Sequence, residues 1–139
     1  MQQGWLTMGA PKPAVIDQAA LEWEGGEDAD LATGKGIRWK LLVDGARTGS
    51  EGIVSGIAEI APGAALMRHH HEPAETYYIV SGRGEMEIEG RTHALGPGSA
   101  VYIPPEAHHA VRCTGTDPLV FVFAFPRDRF DQIVYHFHH

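Results

Sequence analysis

Two histidines and a glutamate stand at a spacing that can do chemistry. His69 and His71 are two residues apart, so on an extended strand both project to one side while His70 points to the other. Glu75 follows after the bend imposed by Pro73 and opens the next extended run. Two neutral imidazoles and a carboxylate suit a borderline divalent metal such as Mn, Fe, Co, Ni or Zn. A further imidazole is available after Pro104-Pro105, in the His108-His109 pair. Of the two, His109 is favoured, because Val111 and Cys113 on its face are apolar while Arg112 shares the face of His108.

Tyr77 lies two residues beyond Glu75 and so shares its strand face, roughly 7 Å further along. A phenol beside a Lewis-acidic metal is a candidate general base, and otherwise a packing aromatic. Met67 and Met86 read as apolar lining, and Trp39, Tyr102, Phe121 and Phe123 as wall or core. Strand parity turns Arg68 away. Cys113 reads as a small buried residue rather than a nucleophile. His93 fits a solvated or capping role in a hairpin strand. His136, His138 and His139 fit either a metal or a loosely held chain end.

These groups need strands to hold them, and strands are what the pattern predicts. Ile37, Trp39, Leu41 and Val43 alternate with Arg38 and Lys40, the mark of a half-buried strand. Further strands are expected at Ile53–Ile60, Glu75–Ser81, Glu85–Glu89, Ala100–Ile103 and Ala110–Cys113. Turns fall at Gly82-Arg83-Gly84, Gly90 and Gly96-Pro97-Gly98. Leu119–Phe125 is apolar on both faces and should be a central, buried strand. No long amphipathic helix is evident. The expected division is an N-terminal arm over 1–36 with one short strand, a barrel over 37–126 and a C-terminal tail over 127–139. Many short strands with this turn spacing mean an all-β antiparallel sandwich or barrel.

Composition narrows the function classes. The chain has 139 residues, 43% of them hydrophobic and 21% charged, as expected of one globular domain. Its net charge of −7 argues against a nucleic-acid partner, which needs clustered Lys and Arg. The apolar run Leu119–Phe125 is far short of the ~20 residues of a membrane-spanning helix. No signal peptide is evident, and the single Cys113 has no intrachain disulfide partner, so a cytoplasmic protein is expected.

The spacing also carries a resemblance. Gly63, five residues, His69, one residue, His71, three residues, Glu75, six residues and Gly82 reproduce the first cupin motif. In the second motif Gly98, Pro104 and His109 fall in register, with Glu106 where a glycine is usual and Cys113 where Asn is usual. The chain resembles a small single-domain cupin over about Ile53 to Phe125. The resemblance implies a double-stranded β-helix jelly roll. It also implies one divalent transition metal (Fe, Mn, Ni or Zn) held by His69, His71, Glu75 and His109.

On that footing the expected function is a metal-dependent enzyme acting on a small organic molecule. It would be a dioxygenase, or a lyase or isomerase working through Lewis-acid proton abstraction with Tyr77 as base. Cupin-type dimethylsulfoniopropionate lyases are similar in carrying a Tyr two residues after the ligand Glu. The alternative is a non-catalytic module that binds a sugar or other small molecule. A sugar-phosphate isomerase is disfavoured by the scarcity of lysine. A homodimer is expected, because Tyr78 and Val80 are apolar yet point away from the ligand face.

Overall fold

The computed structural model describes residues 10–26 and 35–138. The acidic stretch around Asp28 and Asp30, and His139, lie outside the described residues. The strands are β1 (Glu24–Gly26), β2 (Ile37–Val43), β3 (Val54–Ile60), β4 (Ala65–His70), β5 (Glu75–Ser81) and β6 (Gly84–Ile88), followed by β7 (Arg91–Leu95), β8 (Ala100–Ile103), β9 (His109–Cys113), β10 (Leu119–Phe125) and β11 (His136–Phe137). A single helical turn, α1 (Gly45–Thr48), joins β2 to β3.

One sheet is ordered β1-β2-β3-β10-β5-β8 and the other β11-β4-β9-β6-β7, with every pairing antiparallel. From β3 to β6, and again from β7 to β11, each strand lies in the opposite sheet from the one before it. That winding makes a double-stranded β-helix jelly roll, the expected fold. The period-2 pattern of the sequence becomes the wall of the barrel: β3 and β10 each bury every second residue. Ile60, Ile79, Met86, Val111, Leu119, Phe121 and Phe125 meet between the sheets. Burying one such aliphatic or aromatic side chain contributes about 1.5–3 kcal/mol.

Leu119–Phe125 is central, between β3 and β5, but it is buried on one face only; Val120, Val122 and Ala124 are half-covered. Among the described residues no helix packs on that outer face, unlike the covered faces of parallel sheets.

Several side chains turn out otherwise than the pattern predicts, Lys40 on the polar face of β2 being buried. Met67 should share the inward face of His69, but it is 45% exposed. The register of β4 against β9 shifts between Leu66 and His69, and this bulge puts Met67 and Arg68 both outside. Tyr102, expected in the wall or core, is 63% exposed on β8 at the sheet edge.

The chain on either side of the barrel is built onto it. Trp23 lies beneath Arg38 and Lys40, at 4.2 and 4.6 Å. The Lys40 ammonium donates to the carbonyl and side-chain oxygens of Gln18. At the other end Ile133 is buried, the Phe130 amide donates to Asp44, and the His138 amide donates to the Arg68 carbonyl. Among the described residues no helix is long and apolar enough to cross a membrane.

Candidate metal centre

The ends of β4 and β9 are paired so that His69 lies opposite His109. His71 follows β4 directly, and Glu75 opens β5 in the facing sheet. The group therefore forms between the sheets, and all four side chains are buried, none more than 3% exposed. His108 points outward instead, stacked on His70. The outward turn of His70, expected from parity, is what leaves His69 and His71 together.

The turn leading into His109 is made without the usual glycine. Glu106 takes a left-handed conformation, φ +66°, and its amide donates to the His71 carbonyl at 2.9 Å. A non-glycine residue there costs on the order of 1 kcal/mol, and the hydrogen bond to His71 ties the second motif to the first. At the other glycine of the first motif, Gly82, φ is +86° and a Cβ would strike the Pro118 carbonyl, so no side chain fits.

Hydrogen bonds fix the tautomers. Nδ1 of His69 faces the Met67 carbonyl at 2.7 Å, Nδ1 of His71 the Pro73 carbonyl at 2.9 Å and Nδ1 of His109 the Ala107 carbonyl at 2.9 Å. A carbonyl only accepts, so each Nδ1 carries the proton and donates it. Nε2 of His69 and Nε2 of His109 are left with their lone pairs facing inward, the arrangement that second-shell carbonyls give metal-binding imidazoles. A nitrogen from each of the three rings lies within 4.8 Å of the others. His69 Nε2 and His109 Nε2 are buried and have no hydrogen-bond partner.

Glu75 Oε1 lies 3.0 Å from His71 Nε2 and 3.6 Å from His109 Nε2. His71 thus has an acceptor at both ring nitrogens, which only a doubly protonated ring or an intervening cation satisfies. Burial alone would pull the His71 pKa down, but the hydrogen bond and charge of Glu75 outweigh it and hold it above 6.5. Burial, then His109, lower His69 to about 3, so it is a neutral donor at pH 7. Two orphaned buried nitrogens and a carboxylate facing lone pairs fit a divalent cation. The three imidazoles form the tight group, and Glu75 reaches two of them.

Beside the donors is a cavity of about 30 Å³, walled by Trp39, Glu75, Tyr77, Phe121, Phe123 and Tyr135 among others. That is room for about one water. A larger cleft of about 470 Å³ between β6–β7 and β8 is lined by His93 and by none of the donors, whereas one of about 320 Å³ at the start of β5 reaches Glu75. Tyr77 is buried and packs on Phe121 with ring centres 4.2 Å apart. Burial, Glu75 and Tyr135 push its phenol far up, and burial and Glu75 do the same to Tyr135, so both are neutral phenols in the metal-free chain.

Tyr135 is the site residue that sequence reasoning missed. Its ring stacks on His69 and meets His71 edge-on, at 5.0 and 5.3 Å. Phe137 adds a second aromatic against His69, at 5.2 Å. The signal was there: Tyr135, His136, Phe137 and His138 alternate aromatic with histidine, the period of a strand. Cys113 is buried with its thiol against the Asp117 carbonyl, as a structural residue would be.

A family model described as the cupin domain matches residues 56–125. Dimethylsulfoniopropionate lyase DddW of Ruegeria pomeroyi is 35% identical over 125 residues, 90% of this chain and 80% of that protein. A Bacillus subtilis oxalate decarboxylase, whose structure is described for its Mn(II) centres, is similar over 69% of this chain and 27% of that one, at 29% identity and TM-score 0.64. The polyketide cyclase RemF of Streptomyces resistomycificus shares the fold over 92% of this chain and 87% of its own, at 20% identity and TM-score 0.74.

Proposed function

Since the chain belongs to the cupin family, we propose that it is a metal-dependent lyase acting on a small carboxylate that bears a leaving group on its β-carbon. The observation that carries this reading is the junction of the imidazole–carboxylate group with a cavity that holds two phenols and aromatic walls. The similarity to a dimethylsulfoniopropionate lyase over most of both chains supports the same class.

His69, His71 and His109, with Glu75 as fourth ligand, would hold the metal. A divalent cation there supplies the positive charge that acidifies the C–H beside a bound carboxylate and eases ionisation of a nearby phenol. Tyr77 takes the proton from the α-carbon onto its phenolate oxygen. The C–H pair becomes the new double bond, and the β-substituent leaves with its own bonding pair. Burial and Glu75 oppose ionisation of Tyr77 in the metal-free chain, so its service as base depends on the loaded site.

Trp39, Phe121, Phe123 and Tyr135 around the cavity favour a leaving group that is itself a cation, such as a sulfonium, because aromatic faces attract positive charge. No Lys or Arg is among the lining residues to repel it.

The test is incubation of the metal-loaded protein with dimethylsulfoniopropionate. Dimethyl sulfide and acrylate should appear in equal amounts without oxygen uptake. Oxygen consumed with the substrate would move the protein to the dioxygenases. Saturable binding with no product would make it a binding module.

A further inference from the structure

The outer surface over the barrel mouth carries a second set of imidazoles that the proposed reaction does not use. We propose that His70, His108 and His138, with His136 alongside, form a second divalent-metal site that fastens the C-terminal strand over the inner one.

The topology builds this set. β11 pairs with β4 so that His136 lies opposite His70 and Phe137 opposite His69. Directly opposed residues of an antiparallel pair share a face, so His136 joins His70 outside while Phe137 joins His69 inside. His138, two residues on from His136, returns to the outer face, and His108 reaches it from the turn before β9.

The rings gather closely. His70 lies 4.7 Å from His108, 4.8 Å from His138 and 4.9 Å from His136, centre to centre. His108 and His138 are 4.3 Å apart. A ring nitrogen from each of His70, His108 and His138 lies within 4.8 Å of the others, and His70 Nδ1 is 2.6 Å from His138 Nε2. Two imidazoles on one tetrahedral zinc have their nitrogens about 3.3 Å apart, from bond lengths of about 2.0–2.1 Å. Small rotations of half-exposed and exposed side chains span that difference. Several imidazoles without a thiolate suit Zn, Ni or Cu(II).

The consequence follows from what the strand carries on its two faces. β11 is two residues long and holds to β4 by a short ladder extended by the His138 amide on Arg68. Its inner side brings Tyr135 and Phe137 onto His69. A metal joining His138 to His70 and His108 closes a link between the chain end and the body of the barrel. It thereby stabilises the aromatic cover of the inner group. This inference does not depend on which reaction the inner site performs.

The test counts zinc on the full chain after equilibration with zinc chloride and removal of the unbound ion. The wild type should bind one equivalent more than His138→Gln, and a His71→Ala protein one more than His71→Ala with His138→Gln. His108→Gln serves as an independent variant, and both positions lie at the surface where the exchange leaves the core intact. Zinc should also slow amide exchange over residues 133–138 at least tenfold in the His71→Ala protein and leave it unchanged once His138→Gln is added. Equal zinc counts with and without His138 overturn the site. Unequal counts with unaltered exchange overturn the fastening.

Discussion

The ring of Tyr135 lies nearly parallel to that of His69, 21° between planes and 5.0 Å between centres. A residue just before the C-terminal strand thus covers a buried imidazole from the first motif. Because the cavity under it holds about 30 Å³, substrate entering on this side has to displace the cover, the other approach being the cleft of about 320 Å³ that reaches Glu75. Tyr135→Ala should therefore keep the inner metal, speed entry of small ligands, and weaken their retention. Stopped-flow binding of the substrate would reveal this as a rise in both kon and koff. Unchanged rates would mean that substrate enters by another route.

For Tyr77 the decisive change is Tyr77→Phe, which keeps the packing on Phe121 and removes the hydroxyl. If the phenol is the base, kcat falls by about 10²–10⁴-fold while metal content stays the same. If the phenol only lines the cavity, KM moves and kcat does not. An undiminished kcat ends its role as base.

His71→Ala and Glu75→Gln probe the inner group. His71→Ala should keep about one equivalent less than the wild type after gel filtration through a mild chelator. Glu75→Gln should weaken retention without abolishing it, since the three imidazoles remain. Elemental analysis of the eluted protein decides, and full retention by His71→Ala would exclude the assigned ligand set.

Acid should destabilise the metal-stripped protein. His69 has a folded pKa of about 3 against an ordinary 6.5, so the unfolded chain binds a proton there that the folded chain refuses. The stability this group lends is whole above about pH 6.5 and is lost as pH falls toward 3, by about 2 kcal/mol at pH 5. His71 works in the opposite sense. Its folded pKa lies above 6.5, so its contribution is full below 6.5 and fades as pH rises through the folded value. Urea midpoints should drop between pH 7 and 5, and His69→Gln should flatten the drop. A midpoint that rises on acidification contradicts a buried neutral His69.

A dimer through the outer face of β5 and β8 remains the expected assembly. Tyr78 and Val80 are 53% and 49% exposed, Tyr102 is exposed next to them, and Val122 of β10 is paired opposite Tyr78. Light scattering should give twice the chain mass, and Tyr78→Asp with Val80→Lys should reduce it to the chain mass. A wild type that stays monomeric at high concentration would exclude the interface.

The residues that could hold a metal were legible because they are local. A two-residue spacing on a strand decides that His69 and His71 face together and His70 away, and a bend after Pro73 brings Glu75 back. His109 over His108 followed from the polarity of alternate neighbours. The strand pattern and its turns likewise announced an all-β sandwich or barrel, and the resemblance to the cupin motifs implied the jelly roll. Tertiary structure alone decided the rest. The bulge before His69 that expels Met67 comes from pairing with β9 and leaves no mark in the composition of β4. The exposure of Tyr102 depends on β8 being an edge strand. That Glu106 could take the place of a turn glycine depended on a carbonyl, that of His71, to receive its amide. Above all, the alternation from Tyr135 to His138 was visible, but its meaning required a partner. Only the pairing of β11 with β4, which sets His136 opposite His70 and Phe137 opposite His69, determines that the aromatics close the inner group while the histidines collect outside. Side-chain period is a local property of extended backbone, whereas the choice of neighbouring strand is set by the packing of the whole barrel.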